Sequence, residues 1–251
     1  MLALVGPTAA GKSALAMAIA PQLGAEIVSV DSTMVYVGMD IGTDKPSPAE
    51  LARVPHHMVD VVKPSRTMTV ADFQTMARRR IEEVLSRGRT PLLVGGSGLY
   101  FRAVVDPLEF PGTDPRLRAA LEGQAQSQGA EALHRRLAEL DPEAAARIER
   151  SNLRRLVRAL EVIALTGRPF SSFRVAWDLR RSIYALSVAG LSWPRPELDR
   201  RIDARVDAQI AGGLVDEVLR LEDAGWRASR TSVQVLGYAQ ILKALEGRCT
   251  L

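Results

Sequence analysis

The chain of 251 residues contains a single cysteine, Cys249. One thiol cannot form an internal disulfide, which excludes the disulfide-stapled secreted domains and favours a reducing compartment. No apolar run approaches the ~18–20 residues that a membrane-spanning helix needs. The N-terminal apolar stretch, Leu2–Val5, is too short for the core of a secretory signal and has no basic residue before it. We therefore expect a cytoplasmic protein that does not contact membranes.

Lysine is also scarce, since four of the 33 basic residues are lysines and the other 29 are arginines. Residues 114–181 hold 13 arginines, no lysine and 9 acidic residues, a net charge of +4, which equals the formal charge of the whole chain. A genome-wide bias towards arginine codons is one explanation. A basic module that binds a polyanion such as nucleic acid is the other, because the excess charge lies in one window.

Short apolar runs alternate with amphipathic runs in the first hundred residues, which is typical of parallel βαβ units. The predicted strands are Leu2–Val5, Glu26–Val30, the run from Pro91 to the glycines at 95–98, and Ser182–Leu191. The predicted helices around them are Ser13–Leu23, Asp72–Arg87, Glu197–Leu221 and Ser232–Leu245. We expect an α/β fold, a three-layer P-loop core with a parallel sheet.

From Asp114 the pattern is helical only. The segment Ser151–Thr166 places apolar residues on one stripe, and Gly167 is positioned to end that helix. We interpret residues 113–181 as an inserted, arginine-rich helical domain, and residues 1–112 and 182–251 as the α/β core.

Gly6–Ser13 reads GPTAAGKS and matches the phosphate-loop pattern G-x-x-x-x-G-K-[ST] between a predicted strand and a predicted helix. Glycines let backbone N–H groups converge on phosphate oxygens at a helix N-terminus, Lys12 adds a positive charge, and the Ser13 hydroxyl can ligate Mg²⁺. The pattern predicts phosphate binding without specifying the phosphorylated molecule.

Two other predicted strands end in polar residues, at the edge where open α/β sheets bind ligands. Asp31 would hold Mg²⁺, as in a P-loop NTPase, or would serve as a turn or helix N-cap residue. Ser97, in GGSGLY, would donate to an anion or complete a tight turn. The long loop 32–46 after Asp31 is typical of a functional segment.

For four other polar residues, the sequence pattern favours a structural role. Arg201 and Arg205 lie four apart on a predicted helix, which is typical of a solvated face. His56 and His57 have no third ligand at a metal-binding spacing, so we expect them to pack a loop.

Six blocks of this chain together resemble the bacterial tRNA dimethylallyltransferases. They are GPTAAGKSALA (6–16), VDSTMVYVGMDIGTDKP (30–46), PLLVGGSGLYFRA (91–103), LVRALEVIALTGRP (156–169), LDRRIDARVDAQIAGGLVDEV (198–218) and SVQVLGYAQILKALEG (232–247). The blocks run along the whole chain in order, and the second and third are not shared by ordinary P-loop kinases.

The resemblance implies that the phosphate loop holds the diphosphate of dimethylallyl diphosphate, and that ATP is not used. N6 of the adenine directly 3′ to the anticodon, in tRNAs that read codons beginning with U, would displace that diphosphate from the allylic carbon. The implied diphosphate-binding residues are Gly6, Thr8, Ala9, Ala10, Gly11, Lys12 and Ser13. Asp31 would orient the amine and accept its proton, Ser97 and Arg205 would neutralise the leaving group, and Ser13 would bind Mg²⁺.

The resemblance also implies that a base leaves the anticodon stack, at a cost of about a few kcal/mol. The implied contacts with the anticodon stem-loop are Asp31, Ser32, Thr33, Met34, Arg154, Arg155, Arg158, Ser232 and Gln234. We expect a monomer.

The chain departs from the family pattern at two points. Ser97 stands where the family mostly has threonine, which keeps the hydroxyl. The family continues beyond the LEG block into a basic helical segment, whereas this sequence stops at Leu251, so we expect it to lack that segment. Two alternatives therefore remain: a P-loop kinase for a nucleoside or another small molecule, with Asp31 as base, and a truncated paralogue that binds tRNA without modifying it.

Overall fold

The computed structural model describes residues 1–179 and 181–249. The chain forms two compact units: the α/β unit, residues 1–105 with 184–251, and the helical unit, residues 106–183. The helical unit thus begins at Asp106, seven residues before the predicted border at 113, and ends at Ile183 instead of 181.

A single five-stranded sheet forms the centre of the α/β unit. Its strands are β1 (Leu2–Val5), β2 (Ala25–Ser29), β3 (His56–His57), β4 (Thr90–Gly95) and β5 (Ser187–Gly190). They pair in the order β3-β2-β4-β1-β5, and every pairing is parallel. The predicted α/β class with a parallel sheet is confirmed.

Helices cover both faces of this sheet. The first four are α1 (Lys12–Ile19), α2 (Pro48–Arg53), α3 (Val70–Ser86) and α4 (Gly98–Val105). Neighbouring residues of one strand point to opposite faces: Val28 lies in one apolar cluster with Phe73 of α3, and Ile27 lies in another with Met17 of α1. The two clusters make the three layers that the sequence predicts.

The helical unit has its own apolar core. Its helices are α5 (Pro115–Gln128), α6 (Ala130–Leu140), α7 (Pro142–Arg147), α8 (Leu153–Thr166) and α9 (Val175–Leu179). Leu156 and Leu160 of α8 pack against Leu121 and Leu137. The predicted stripe is confirmed, and Gly167 ends α8 with φ of 66°.

Three helices close the α/β unit: α10 (Arg195–Ala211), α11 (Leu214–Asp223) and α12 (Tyr238–Leu245). The predicted single helix at 197–221 is wrong, because Gly213 adopts φ of 94° and separates α10 from α11. The predicted helix at 232–245 is also wrong at its start, since Ser232–Gln234 is a 3₁₀ turn and Gly237, with φ of 88°, precedes α12.

The two histidines form the edge strand β3, not the packed loop that we predict from sequence. His57 Nε2 lies 2.7 Å from Glu26 Oε2 of β2, and His56 Nδ1 lies 2.8 Å from the Val54 carbonyl oxygen. Among the residues described, no helix is both long and apolar enough to span a membrane.

Candidate active site

The phosphate loop has the backbone geometry that its glycines predict. Gly6, Ala9 and Gly11 have φ of 155°, 61° and 89°, values that favour glycine. A Cβ on Gly6 would lie 2.6 Å from the Leu191 carbonyl oxygen, so a side chain does not fit there. α1 begins at Lys12, directly after the loop, and no side chain caps its first N–H groups, an arrangement that suits anion binding.

Lys12 interacts electrostatically with two other charged side chains. Its Nζ donates to the Pro7 carbonyl oxygen at 2.7 Å, which holds the ammonium against the loop. Burial lowers the pKa of Lys12; the Asp31 carboxylate opposes this shift, and the Arg205 guanidinium adds to it. The carboxylate of Asp31, which follows β2, and the guanidinium of Arg205 on α10 therefore both act electrostatically on Lys12 of α1.

Asp31 follows β2 and has one oxygen fixed by a turn. Its Oδ1 accepts from the Thr33 backbone N–H at 2.8 Å and from the Thr33 hydroxyl at 2.6 Å. Its Oδ2 has no hydrogen-bond partner among residues 1–179 and 181–249. Asp31 is thus a turn residue, as one sequence alternative has it, and also presents an unused carboxylate oxygen at the sheet edge.

Arg205 lies on the inner side of α10. Its Nη1 is 3.3 Å from Asp44 Oδ2 in the loop after β2, and 27% of its side chain is exposed. Arg201, one turn earlier, stacks its guanidinium 3.8 Å from the centre of the Trp193 ring, and Trp193 Nε1 donates to the Ala10 carbonyl oxygen at 3.0 Å. The solvated face favoured by spacing alone is therefore wrong for this pair.

Ser97 lies at the start of α4. Its Oγ accepts weakly from the Tyr100 N–H at 3.5 Å, which corresponds to the turn alternative. The backbone beside it comes closer to the phosphate loop, because a Cβ on Gly96 would lie 3.0 Å from the Gly6 carbonyl oxygen and 3.5 Å from Lys12 Nζ. The glycines of GGSG predict a close approach of the backbone to a neighbour, and the structure identifies that neighbour as the phosphate loop. The role of Ser97 towards an anion stays a prediction.

A cavity of about 950 Å³ joins these groups. Its charged and polar lining includes Lys12, Ser13, Asp31, Asp44, Lys45, Glu50, His56 and Arg205. The apolar lining comes mainly from the sheet, α10 and the 235–241 segment; it includes Ile27, Met34, Val94, Ile202, Val206, Ile210, Leu214, Val235, Leu236 and Ile241. A lining that combines charged with apolar side chains is compatible with a phosphorylated ligand that carries a short hydrocarbon group.

The predicted RNA-contacting residues of the α/β unit fall into different environments. Thr33 and Met34 line the cavity beside Asp31, and Ser32 is half-buried in the same turn. Gln234 is exposed. Ser232 is fully buried and donates to the Pro64 carbonyl oxygen at 2.5 Å, so the structure gives it a packing role instead of the surface position that an RNA contact needs.

The three predicted RNA-contacting arginines of α8 also differ. Arg154 and Arg155 are exposed. Arg158 donates to Glu161 Oε2 at 2.7 Å and to the Pro111 and Gly112 carbonyl oxygens at 2.6 and 2.9 Å. Its guanidinium thus holds the helical unit together, and as an RNA contact Arg158 stays a prediction.

Glu161 is the centre of that buried cluster. It is 0% exposed, and it accepts from Arg118, from Arg158 and from the Asp114 backbone N–H. Burial alone would raise the pKa of Glu161, but these hydrogen bonds outweigh burial and lower it. Sequence reasoning missed this residue, because an acid on the apolar stripe is its only signal.

The donor set near the phosphate loop fits a magnesium ion that is shared with a phosphorylated ligand. The described residues contain no group of three or more His, Cys, Asp or Glu side chains able to hold a metal ion. Mg²⁺ usually takes few protein ligands and binds phosphate oxygens and water. The exposed Ser13 hydroxyl, beside Lys12 on the cavity wall, could supply one such ligand.

Comparison with known proteins gives one consistent match. The profile of the family described as IPP transferase matches residues 34–251. The tRNA dimethylallyltransferase of Streptomyces coelicolor is 53% identical over 251 residues, which are 100% of this chain and 80% of that protein. The phosphate loop and Asp31 lie before the profile match but inside this alignment.

Two solved structures of related enzymes also match this chain. The full-length tRNA isopentenylpyrophosphate transferase of Bacillus halodurans is 43% identical with a TM-score of 0.69, over 100% of this chain and 78% of that one. A eukaryotic dimethylallyltransferase, solved acting on tRNA, has a TM-score of 0.81 at 24% identity, over 99% of this chain and 63% of that one. The second match supports the fold alone.

Proposed function

Because the chain belongs to the IPP transferase family, we propose that it is a tRNA prenyltransferase that moves a dimethylallyl group from dimethylallyl diphosphate to tRNA. The acceptor in this proposal is N6 of the adenine directly 3′ to the anticodon, in tRNAs that read codons beginning with U. The observation that carries the proposal is that Lys12, Asp31 and Arg205 interact electrostatically and line one cavity, whose lining also includes many apolar side chains.

The cationic end of the cavity suits a departing diphosphate. The allylic C–O bond breaks, its electron pair goes to the diphosphate oxygen, and the charge that develops is met by the Lys12 ammonium, the Arg205 guanidinium and the N–H groups at the start of α1. Preorganised hydrogen-bond donors around such a charge stabilise the transition state strongly, and the loss of one donor typically lowers kcat by about 10²–10³-fold. The backbone of the phosphate loop, Gly6 to Gly11, binds the diphosphate of the substrate before the C–O bond breaks.

Asp31 is suited to the nucleophile. As the new C–N bond forms, the N6 amine loses one proton, and Asp31 Oδ2 is the oxygen that has no other partner among the described residues. The turn through Thr33 fixes the carboxylate, so that Oδ2 orients the amine and then accepts its proton. The products are a prenylated adenine and free diphosphate.

A magnesium ion would complete the neutralisation of charge. Ser13 would hold it together with diphosphate oxygens, and when bound it supplies Lewis-acid stabilisation of the leaving group. We further propose that the protein works as a cytoplasmic monomer and reads the anticodon stem-loop, with Arg154 and Arg155 of the helical unit as phosphate contacts.

The direct test is incubation of the chain with dimethylallyl diphosphate, Mg²⁺ and unmodified tRNA, followed by mass spectrometry of the nucleosides. We expect a dimethylallyl mass on adenosine. A tRNA with guanine at the position 3′ to the anticodon is the matched control and should gain no mass. Binding of tRNA without transfer would support the non-catalytic alternative, and ATP consumption would support the kinase.

A further inference from the structure

A carboxylate outside the proposed chemistry holds one side of the cavity. Glu217 of α11 is 2% exposed, and no cationic side chain pairs with it among the residues described. Its oxygens accept from the backbone N–H groups of Asp40, Ile41 and Gly42 at 3.0–3.5 Å. A buried carboxylate satisfied only by uncharged donors is costly unless those donors are fixed.

The loop that Glu217 holds, residues 40–45, is called the strap below. Tyr238 of α12 reinforces it, since its hydroxyl donates to Glu217 at 2.5 Å and accepts from the Gly42 N–H at 3.2 Å. Burial, and then Glu217, raise the pKa of Tyr238, so the phenol keeps its proton. A Cβ on Gly42 would lie 2.4 Å from the Tyr238 ring, so the strap lies directly against α12.

The strap is also bound from α10. Gln209 Nε2 donates to the Ile41 and Gly42 carbonyl oxygens at 3.0 and 3.2 Å. Gln209 lies one helical turn after Arg205, on the same helix. A further contact between strap and helix is the ion pair between Asp44 and Arg205 at 3.3 Å.

We propose that Glu217 is a positioning residue, which fixes the strap so that Asp44 aims the Arg205 guanidinium at the diphosphate. The contacts form one chain: Glu217 binds strap N–H groups, the strap carries Asp44, and Asp44 pairs with Arg205. This inference rests on the proposed function for its chemistry. Its observable consequence is a diphosphate site that depends on Glu217 only while Arg205 is present.

The test is a double-mutant cycle read out by calorimetric binding of magnesium pyrophosphate and by kcat of prenyl transfer. We expect Glu217→Gln to weaken pyrophosphate binding and to lower kcat by roughly 10-fold, while KM for tRNA stays unchanged. In an Arg205→Ala background the same substitution should cost less than about 2-fold. Glu222→Gln, on the same helix but paired with Arg227, is the matched control and should leave both values unchanged.

A second variant approaches the strap from the other side. Gln209→Ala removes the donors to the strap carbonyl oxygens and leaves Glu217 and its partners in place, so a folding defect of Glu217→Gln does not end the test. We expect a smaller loss of pyrophosphate affinity, which again disappears in the Arg205→Ala background. Equal losses in both backgrounds, or unchanged affinity, would overturn the positioning role. Because pyrophosphate binding needs no tRNA, absence of prenyl transfer by the wild-type chain would refute the proposed function separately.

Discussion

The two units use arginine and acidic side chains in opposite ways. In the helical unit, Arg118 and Arg158 form ion pairs with the buried Glu161 and neutralise its charge. In the α/β unit, Lys12, Asp31 and Arg205 meet around a cavity and stay partly unpaired. Charged side chains in a buried ion-pair cluster have a structural role, whereas charged side chains with few ionic partners can interact with a ligand. The same residue types therefore divide into structural and chemical sets by their neighbours.

The largest expected effect comes from the unpaired carboxylate. Asp31→Asn keeps the acceptor for Thr33 but cannot take a proton, so we expect kcat to fall about 10²–10⁴-fold, as for a lost general base. Binding of pyrophosphate should change little. Steady-state kinetics and calorimetry check both. Asp207→Asn, an exposed acid on α10, is the matched control, and near-normal turnover of Asp31→Asn would remove that residue from the chemistry.

Removal of the phosphate-loop cation should come next. Lys12→Ala should lower kcat by about 10²–10³-fold and weaken pyrophosphate binding as well, because the ammonium serves both the bound and the departing diphosphate. Lys243→Ala removes an exposed lysine from α12 and should change neither value. A loss of binding with kcat intact would limit Lys12 to the ground state.

The buried cluster of the helical unit should respond through stability instead of catalysis. Glu161→Gln leaves two guanidinium groups around a neutral amide, and we expect a loss of about 3–5 kcal/mol in the free energy of unfolding of this unit. Urea denaturation measures it. Glu131→Gln breaks the exposed pair with Arg150 and should cost about 1 kcal/mol or less. Similar losses of unfolding free energy for the two variants would contradict the distinction between buried and exposed ion pairs.

The same cluster predicts the direction of a pH effect. The pKa of Glu161 is lowered in the folded chain, so its contribution to stability is present above the ordinary pKa of a glutamate, about 4.3. That contribution is lost as the pH falls through the lowered value. Acid titration of the unfolding free energy should therefore show a steeper decline below about pH 4 in the wild-type chain than in Glu161→Gln. Parallel curves would mean that folding does not lower the pKa of Glu161, so that its ionisation does not contribute to stability.

The smallest effect is expected at the surface of the helical unit. Arg154→Ala with Arg155→Ala should weaken tRNA binding for all sequences and reduce the log–log salt slope by roughly 0.7–0.9 for each phosphate that the variant no longer neutralises. Filter binding at several salt concentrations measures this slope. Arg79→Ala with Arg80→Ala removes the same charge from α3 and is the control. An unchanged slope, or an equal change in the control, would make Arg154 and Arg155 a solvated face.

Local patterns could be predicted from the sequence, and long-range ones could not. Gly6–Ser13 specifies its own turn through glycines at fixed spacing, and Gly167 ends α8 for a similarly local reason. The helix predicted at 197–221 failed because the apolar period continues past Gly213, where the backbone breaks.

The site divides along the same line. Asp31 and Lys12 stand next to recognisable strand ends, so the pattern finds them. Arg205 is indistinguishable by spacing from a solvated arginine, and only the resemblance to a known family singles it out. Glu217 is held by the strap, about 175 residues away in the chain, and Arg158 is taken by the loop at Pro111 and Gly112. These pairings depend on the tertiary fold of each unit, which brings segments that are distant in the sequence together.

The central claim is that the phosphate loop holds a departing diphosphate and not a nucleotide. The most direct measurement follows diphosphate release and prenylated adenosine in one reaction with dimethylallyl diphosphate, tRNA and Mg²⁺, with and without ATP. We expect one diphosphate for each modified adenine, with the rate unaffected by ATP and no ATP consumed. A requirement for ATP, or release of inorganic phosphate from it in step with turnover, would contradict this account.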